Sequence, residues 1–255
     1  QEELFLLRKE KRDLMEKVLI QQDRINSLYE ENINLRQKIQ NLEEFQRGMT
    51  TGVFLKNMII FRLKTFQRTS SLNELLREWE KAESHDQMVN VFSKIMYLFG
   101  LDYHIISKKA KAEPDILGIS YNSMPPFLIL VEVKTIRGEK QLGSREVSQV
   151  ISKVKRYKEM YRGFHICPII LTNVEAEKIS EEAIRDSVHN VVILTKKFVV
   201  ELVKSHFKYM HSPTILYTLL EPKKEPIPTA EDIKFMNVLS EQENLRMSKE
   251  VISYD

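Results

Sequence analysis

Three residues in the middle of the chain have the types and spacing for metal-assisted hydrolysis: Asp115, Glu132 and Lys134. Asp115 opens the apolar run Ile116 to Tyr121, and Glu132 and Lys134 close the run that starts at Phe127. Between the two runs stands an Asn/Ser/Pro cluster, Asn122 to Pro126, so the pattern predicts two strands joined by a turn. A hairpin brings Asp115 close to Glu132 and Lys134, and residues two apart on a strand point to one face. Two carboxylates and an ammonium converging there would make a divalent-cation site with a lysine beside the reacting water. The plainer reading has Asp115 capping a turn after Pro114, with Glu132 and Lys134 paired on a wetted sheet face. Against it stands the apolar character of Phe127 to Val133, which predicts a strand buried on both faces, where charges need a reason.

Positive charge gathers next to these residues. From Lys134 to Arg162 nine basic residues stand against three acidic ones, a net of +6. Arg137, Lys140, Arg145, Lys153 and Arg156 are the candidates from this segment for contacting a phosphate backbone, the dominant source of nucleic-acid affinity. Lys109 and Lys111, ahead of Asp115, could touch the same backbone or form a plain charged loop. The six histidines show no paired ligand spacing, so no zinc site is expected. No glycine-rich phosphate loop is present, which argues against an intrinsic ATPase.

The elements that must position this chemistry follow in order. Residues 1–48 read as a coiled-coil dimerisation helix: Leu4, Val18, Ile25 and Ile39 fall at one heptad seam position, and Leu7, Leu14, Leu28, Leu35 and Leu42 at the other. β-Branched residues at the first position, leucine at the second and a seam asparagine, Asn32, predict a parallel homodimer. Residues 49–82 read as a helical connector, with Ser71 and Glu74 forming a capping box. Residues 83–211 alternate: a helix stopped by Gly100, a short strand from Tyr103, the hairpin, a helix from Gly143 and Ser144, a strand to Thr172, a helix from Ile179, a strand from Val191, and a helix from Lys197. This order predicts an α/β fold, a mixed sheet flanked by helices. Pro168 is awkward in a central strand and predicts a bulge or a place near the strand's start. Residues 212–255 read as a proline-containing linker and a polar C-terminal helix.

Composition bounds the rest. The chain has 255 residues, 42% hydrophobic and 29% charged, and carries enough apolar surface for one good-sized core. A net charge of +3 is too mild to demand a nucleic-acid partner, so the clustering carries that argument. The single cysteine, Cys167, rules out an internal disulfide framework and fits a small apolar strand residue. With no run near the ~20 apolar residues of a membrane span and no signal-peptide pattern, an intracellular protein (cytoplasmic or nucleoid-associated) without membrane association is expected.

The succession of helix, strand, strand with Pro114-Asp115, strand with Glu132-Val133-Lys134, helix, strand, helix, strand, helix resembles the PD-(D/E)xK nuclease superfamily, whose members share a restriction-endonuclease-like fold. The strand Pro168 to Asn173, the helix Glu175 to Arg185 and the strand Val191 to Thr195 resemble its Mrr-type branch. The likeness covers about residues 83–210 and leaves out the heptads. It implies a Mg²⁺-dependent DNA endonuclease, with Mn²⁺ able to substitute. Asp115, Glu132 and the main-chain carbonyl of Val133 would hold the metal, and Lys134 would position or activate water. Gln149, which shares a helix face with Lys153, would help position the motif. Family members often add an acid from the first core helix; Glu83 and Asp86 stand near its start, where the helix dipole alone explains them. The alternative is a catalytically inactive nucleic-acid-binding or scaffold protein that keeps the fold. In either case a further protein partner could dock through the coiled coil or the C-terminal helix.

Overall fold

The computed structural model describes residues 21, 24, 25, 27, 28, 32, 52–106, 113–121 and 123–252. The chain divides into two units, 1–49 and 50–255. In the first, Gln21, Arg24, Ile25, Ser27, Leu28 and Asn32 are helical and exposed. The remaining heptad positions, and with them the coiled-coil and dimer expectations, lie outside the described residues.

The second unit is built on a five-stranded mixed sheet in the order β1 (Asp102–Ile105), β2 (Ile116–Ser120), β3 (Phe127–Lys134), β4 (His165–Thr172), β5 (Val192–Thr195). The pairs β1/β2 and β2/β3 are antiparallel, while β3/β4 and β4/β5 are parallel. This is the expected hairpin followed by strand–helix units. Helices α1 (Gly52–Thr69), α2 (Leu72–Lys81), α3 (His85–Leu98), α4 (Ser144–Met160), α5 (Glu181–Ser187), α6 (Lys196–Tyr209), α7 (Pro213–Leu220) and α8 (Ala230–Ile252) complete it.

Alternation along β3 sorts its side chains between two layers. Phe127, Ile129, Val131 and Val133 enter the larger core together with residues of α2, α3, α6 and α7. Leu128 and Leu130 point the other way, into a cluster with Tyr157 of α4. Glu132 and Lys134 continue that second row, so the pleat itself aims them at the α4 side. Burying each large apolar side chain in such layers contributes about 1.5–3 kcal/mol, which is what fixes the strand's register.

Local signals set the helix ends. Ser84 caps α3 and forms a capping box with Gln87, and Gly100, at φ +83°, ends the segment that follows. A similar box between Ser71 and Glu74 starts α2. Trp79 of α2 is fully buried and its indole N–H donates to the Lys196 carbonyl at 2.9 Å, tying the helical connector into the core. Cys167 is buried in β4, and burial pushes its thiol well above the usual range.

Two expectations change. Pro168 occupies the interior of β4 opposite Leu130, without an extra residue in the β3/β4 register. Pairing with β5 begins only at Ile169, so one flank of β4 has no ladder partner at the proline. The linker expected from Pro213 onward gives way to α7: Ser212 caps it, Pro213 sits in its first turn, and Ile215, Leu216, Leu219 and Leu220 are buried. Proline at the first helical position costs no hydrogen bond, so there it starts a helix. The proline-containing stretch without a helix is confined to residues 221–229. The C-terminal α8 docks through buried Ile233, Met236 and Ser240.

Candidate functional site

Asp115 reaches Glu132 and Lys134 through the hairpin's register. Ile116 pairs with Val131, so extending the ladder by one residue sets Asp115 opposite Glu132. The backbone N–H of Asp115 donates to the Val131 carbonyl at 2.9 Å, and its own carbonyl accepts from Ile106 at 3.0 Å. Its carboxylate turns to the end of β3, where Oδ2 accepts the Val133 N–H at 2.7 Å. Oδ1 accepts no hydrogen bond among the described residues.

Both oxygens of Glu132 carry an ammonium. Lys134 Nζ lies 3.0 Å from Oε1, and Lys153 Nζ pairs with Oε2. Lys134 also donates to Gln149 Oε1 at 3.0 Å, and Lys153 to the Glu113 main-chain carbonyl at 2.8 Å. The Glu132 and Lys153 side chains are each only 11% exposed, against 21% for Lys134. A carboxylate so buried needs these partners, because an unpaired charge there is strongly destabilising.

The structure therefore brings Asp115, Glu132, Lys134, Val133 and Gln149 together, and adds residues that their positions in the sequence did not single out. His85 Nε2 stands 3.2 Å from Asp115 Oδ2, and its Nδ1 stands 3.1 Å from Asp86 Oδ1. No ligand spacing marked this histidine; its adjacency to the Ser84 cap, at the start of α3, is what delivers it. Glu113 is held by Arg156 at 2.6 Å and by the Tyr157 hydroxyl. Burial first, then the Glu113 carboxylate, pushes the Tyr157 phenol up, so it serves as a donor.

The basic residues named from the sequence separate into groups. Arg137, Lys140 and Arg145 are exposed, with side chains that have no protein partner among the described residues. Lys153 and Arg156 are instead committed to Glu132 and Glu113, a role that charge counting alone does not reveal. Lys109 and Lys111 lie outside the described residues. Beyond β3, Asn173 pins the loop by accepting from Ile136 N at 2.8 Å and donating to Ile136 O at 3.0 Å.

The donor chemistry suits a hard divalent cation: a free oxygen on Asp115, a Glu132 oxygen exchangeable for Lys134, and the Val133 carbonyl. Among the described residues no three His, Cys, Asp or Glu side chains form a metal-binding group. A cation here would thus rest on two carboxylates, a main-chain oxygen, water and phosphate. That is the kind of shell Mg²⁺ accepts.

No family model matches the chain, and no curated protein matches it. Among solved structures it is similar to restriction endonuclease FokI, with a TM-score of 0.45 and 9% identity over 58% of this chain. The chain spans 30% of that protein's length. Among the described residues no helix is long and apolar enough to cross a membrane.

Proposed function

We propose that the chain is a restriction-endonuclease-like nuclease that hydrolyses DNA phosphodiester bonds with the help of a divalent cation, Mg²⁺ or Mn²⁺. The observation that carries this reading is the joining of Asp115, Glu132, Lys134 and Gln149, from three elements, at one end of a buried strand. A charged cluster in so apolar a setting stores free energy that the fold alone does not require. Asp115, Glu132 and the Val133 carbonyl would hold the cation, whose chemistry is to polarise the phosphoryl group and to make the attacking water more acidic.

The protein's own residues do the rest. Gln149 fixes the Lys134 ammonium beside the phosphorus, where it orients the water and offsets negative charge growing in the transition state. Val133 N–H holds the Asp115 carboxylate in place. Arg137, Lys140 and Arg145 present free cations to the flanking backbone phosphates. Water adds to phosphorus and releases a proton to solvent, the P–O3′ bond breaks, and the leaving 3′ oxygen takes its proton from solvent.

The test is incubation of the purified chain with supercoiled and linear DNA in Mg²⁺ or EDTA, alongside Asp115→Asn. Asparagine can still accept the Val133 N–H, so folding survives while cleavage is expected to fall at least ~100-fold, the loss typical when one transition-state contact is removed. Cutting by Asp115→Asn at the wild-type rate would refute the site. Mg²⁺-dependent binding of DNA without cleavage by the wild type would favour the scaffold reading. The heptads of residues 1–48 would pair two such chains in parallel, and sedimentation equilibrium giving a monomer at micromolar concentration would remove that part.

A further inference from the structure

We propose that Lys153 acts as a resident cation that limits this site to one divalent ion per chain; the inference rests on the metal site just proposed. A second ion would need its own hard oxygen donors next to Glu132. Asp115 Oδ1 and the Val133 carbonyl go to the first ion, and among the described residues the other oxygens of Glu132 and Glu113 are taken by protein groups. Glu132 Oε2 pairs with Lys153, and the Glu113 carbonyl accepts from the same ammonium at 2.8 Å. Glu113 Oε1 pairs with Arg156 at 2.6 Å, and Oε2 accepts from the Tyr157 hydroxyl.

Charge works in the same direction. Lys153 sets a positive charge, 11% exposed and therefore poorly screened, directly on the Glu132 oxygen that a second ion would need. Lys153 is fixed at two points on the buried side of Glu132, whereas Lys134, more exposed, is the cation that can yield its oxygen.

Lys153 is in this sense a positioning residue: it sets the orientation of Glu132 and the number of ions, and leaves the attacking water to Lys134. Its effect reads out in binding without any turnover. Electron paramagnetic resonance counts free Mn²⁺ during titration of the full chain, and paired Mn²⁺ ions also broaden each other's spectrum. We expect one Mn²⁺ per wild-type chain without that broadening, and two per chain with it in Lys153→Met, checked for folding by its melting transition. Lys153→Gln, which keeps a donor for Glu132 and Glu113 without the charge, is the second variant and should bind its first Mn²⁺ at least ~10-fold more tightly than wild type. Lys158→Met, at an exposed position of the same helix that touches none of these oxygens, should leave the count at one. Two ions on the wild type would overturn the inference and leave the metal site standing. So would a Lys153→Gln protein with unchanged affinity. No Mn²⁺ on the wild type would overturn the metal site itself, and this inference with it.

Discussion

Replacing Glu132 by glutamine should destabilise the fold far more than the loss of an ordinary surface charge, because the two lysines around it are left facing each other. At 3.0 Å and an effective dielectric of about 20, the Lys134–Glu132 attraction is about 5 kcal/mol before desolvation is counted. The Lys153 pair is at least as close. Most of this gross attraction is offset by the cost of removing the ions from water, and breaking a buried pair typically leaves a penalty of ~3–5 kcal/mol. Lys134, at 21% exposure, can turn toward solvent and recover part of it, so about 3 kcal/mol is the working figure. For a unit of this size that corresponds to a fall in Tm of roughly 6–12 °C. Urea denaturation of Glu132→Gln, Lys153→Met and the double variant provides the assay, since the midpoint moves while the slope holds if only stability changes. The double variant should lose at least ~1.5 kcal/mol less than the sum of the singles, as residues in one network do. Additivity within about 0.5 kcal/mol would refute the reasoning, for it would mean that the pair is hydrated and contributes no coupling.

Gln149→Leu removes the 3.0 Å acceptor of Lys134 from an exposed helix position. It should lower kcat about 10-fold with KM for DNA unchanged and stability within about 0.5 kcal/mol, a pattern that steady-state kinetics and a melting curve resolve together. Below neutral pH the fold should weaken through two buried histidines. Burial lowers His211 to about 4, and burial with His211 nearby lowers His206 to about 3, both from an ordinary 6.5. These groups are neutral when folded and take up protons when unfolded, so their stability is complete above pH 6.5. It is lost on acidification at about 1.4 kcal/mol per pH unit for each, down to the folded values. His211→Gln should flatten the decline measured by urea midpoints between pH 6.5 and 4; an unchanged slope would refute the assignment.

Much of this protein is legible from local chemistry. The capping box at Ser71, a glycine stop at Gly100 and alternating apolar runs are short-range signals whose physics works within one or two turns of chain. The same holds for the same-face relation of Glu132 and Lys134, which follows from the strand's two-residue period. Pro213 shows the limit: the residue that reads as a linker signal opens a buried helix, because Ser212 caps it and the following apolar run has a core to enter. Long-range partners belong to tertiary structure alone. Lys153 reads as one basic residue among nine until α4 packs on β3 and pairs it with Glu132, 21 residues away. His85 reads as one of six histidines without ligand spacing until the hairpin brings Asp115 to within 3.2 Å of it. Which strand faces bear the charged residues is readable along the chain, since that depends on backbone period and local hydrogen bonds. Only the packing of helix on sheet decided which charges neutralise each other, because that depends on distances between segments far apart in the chain.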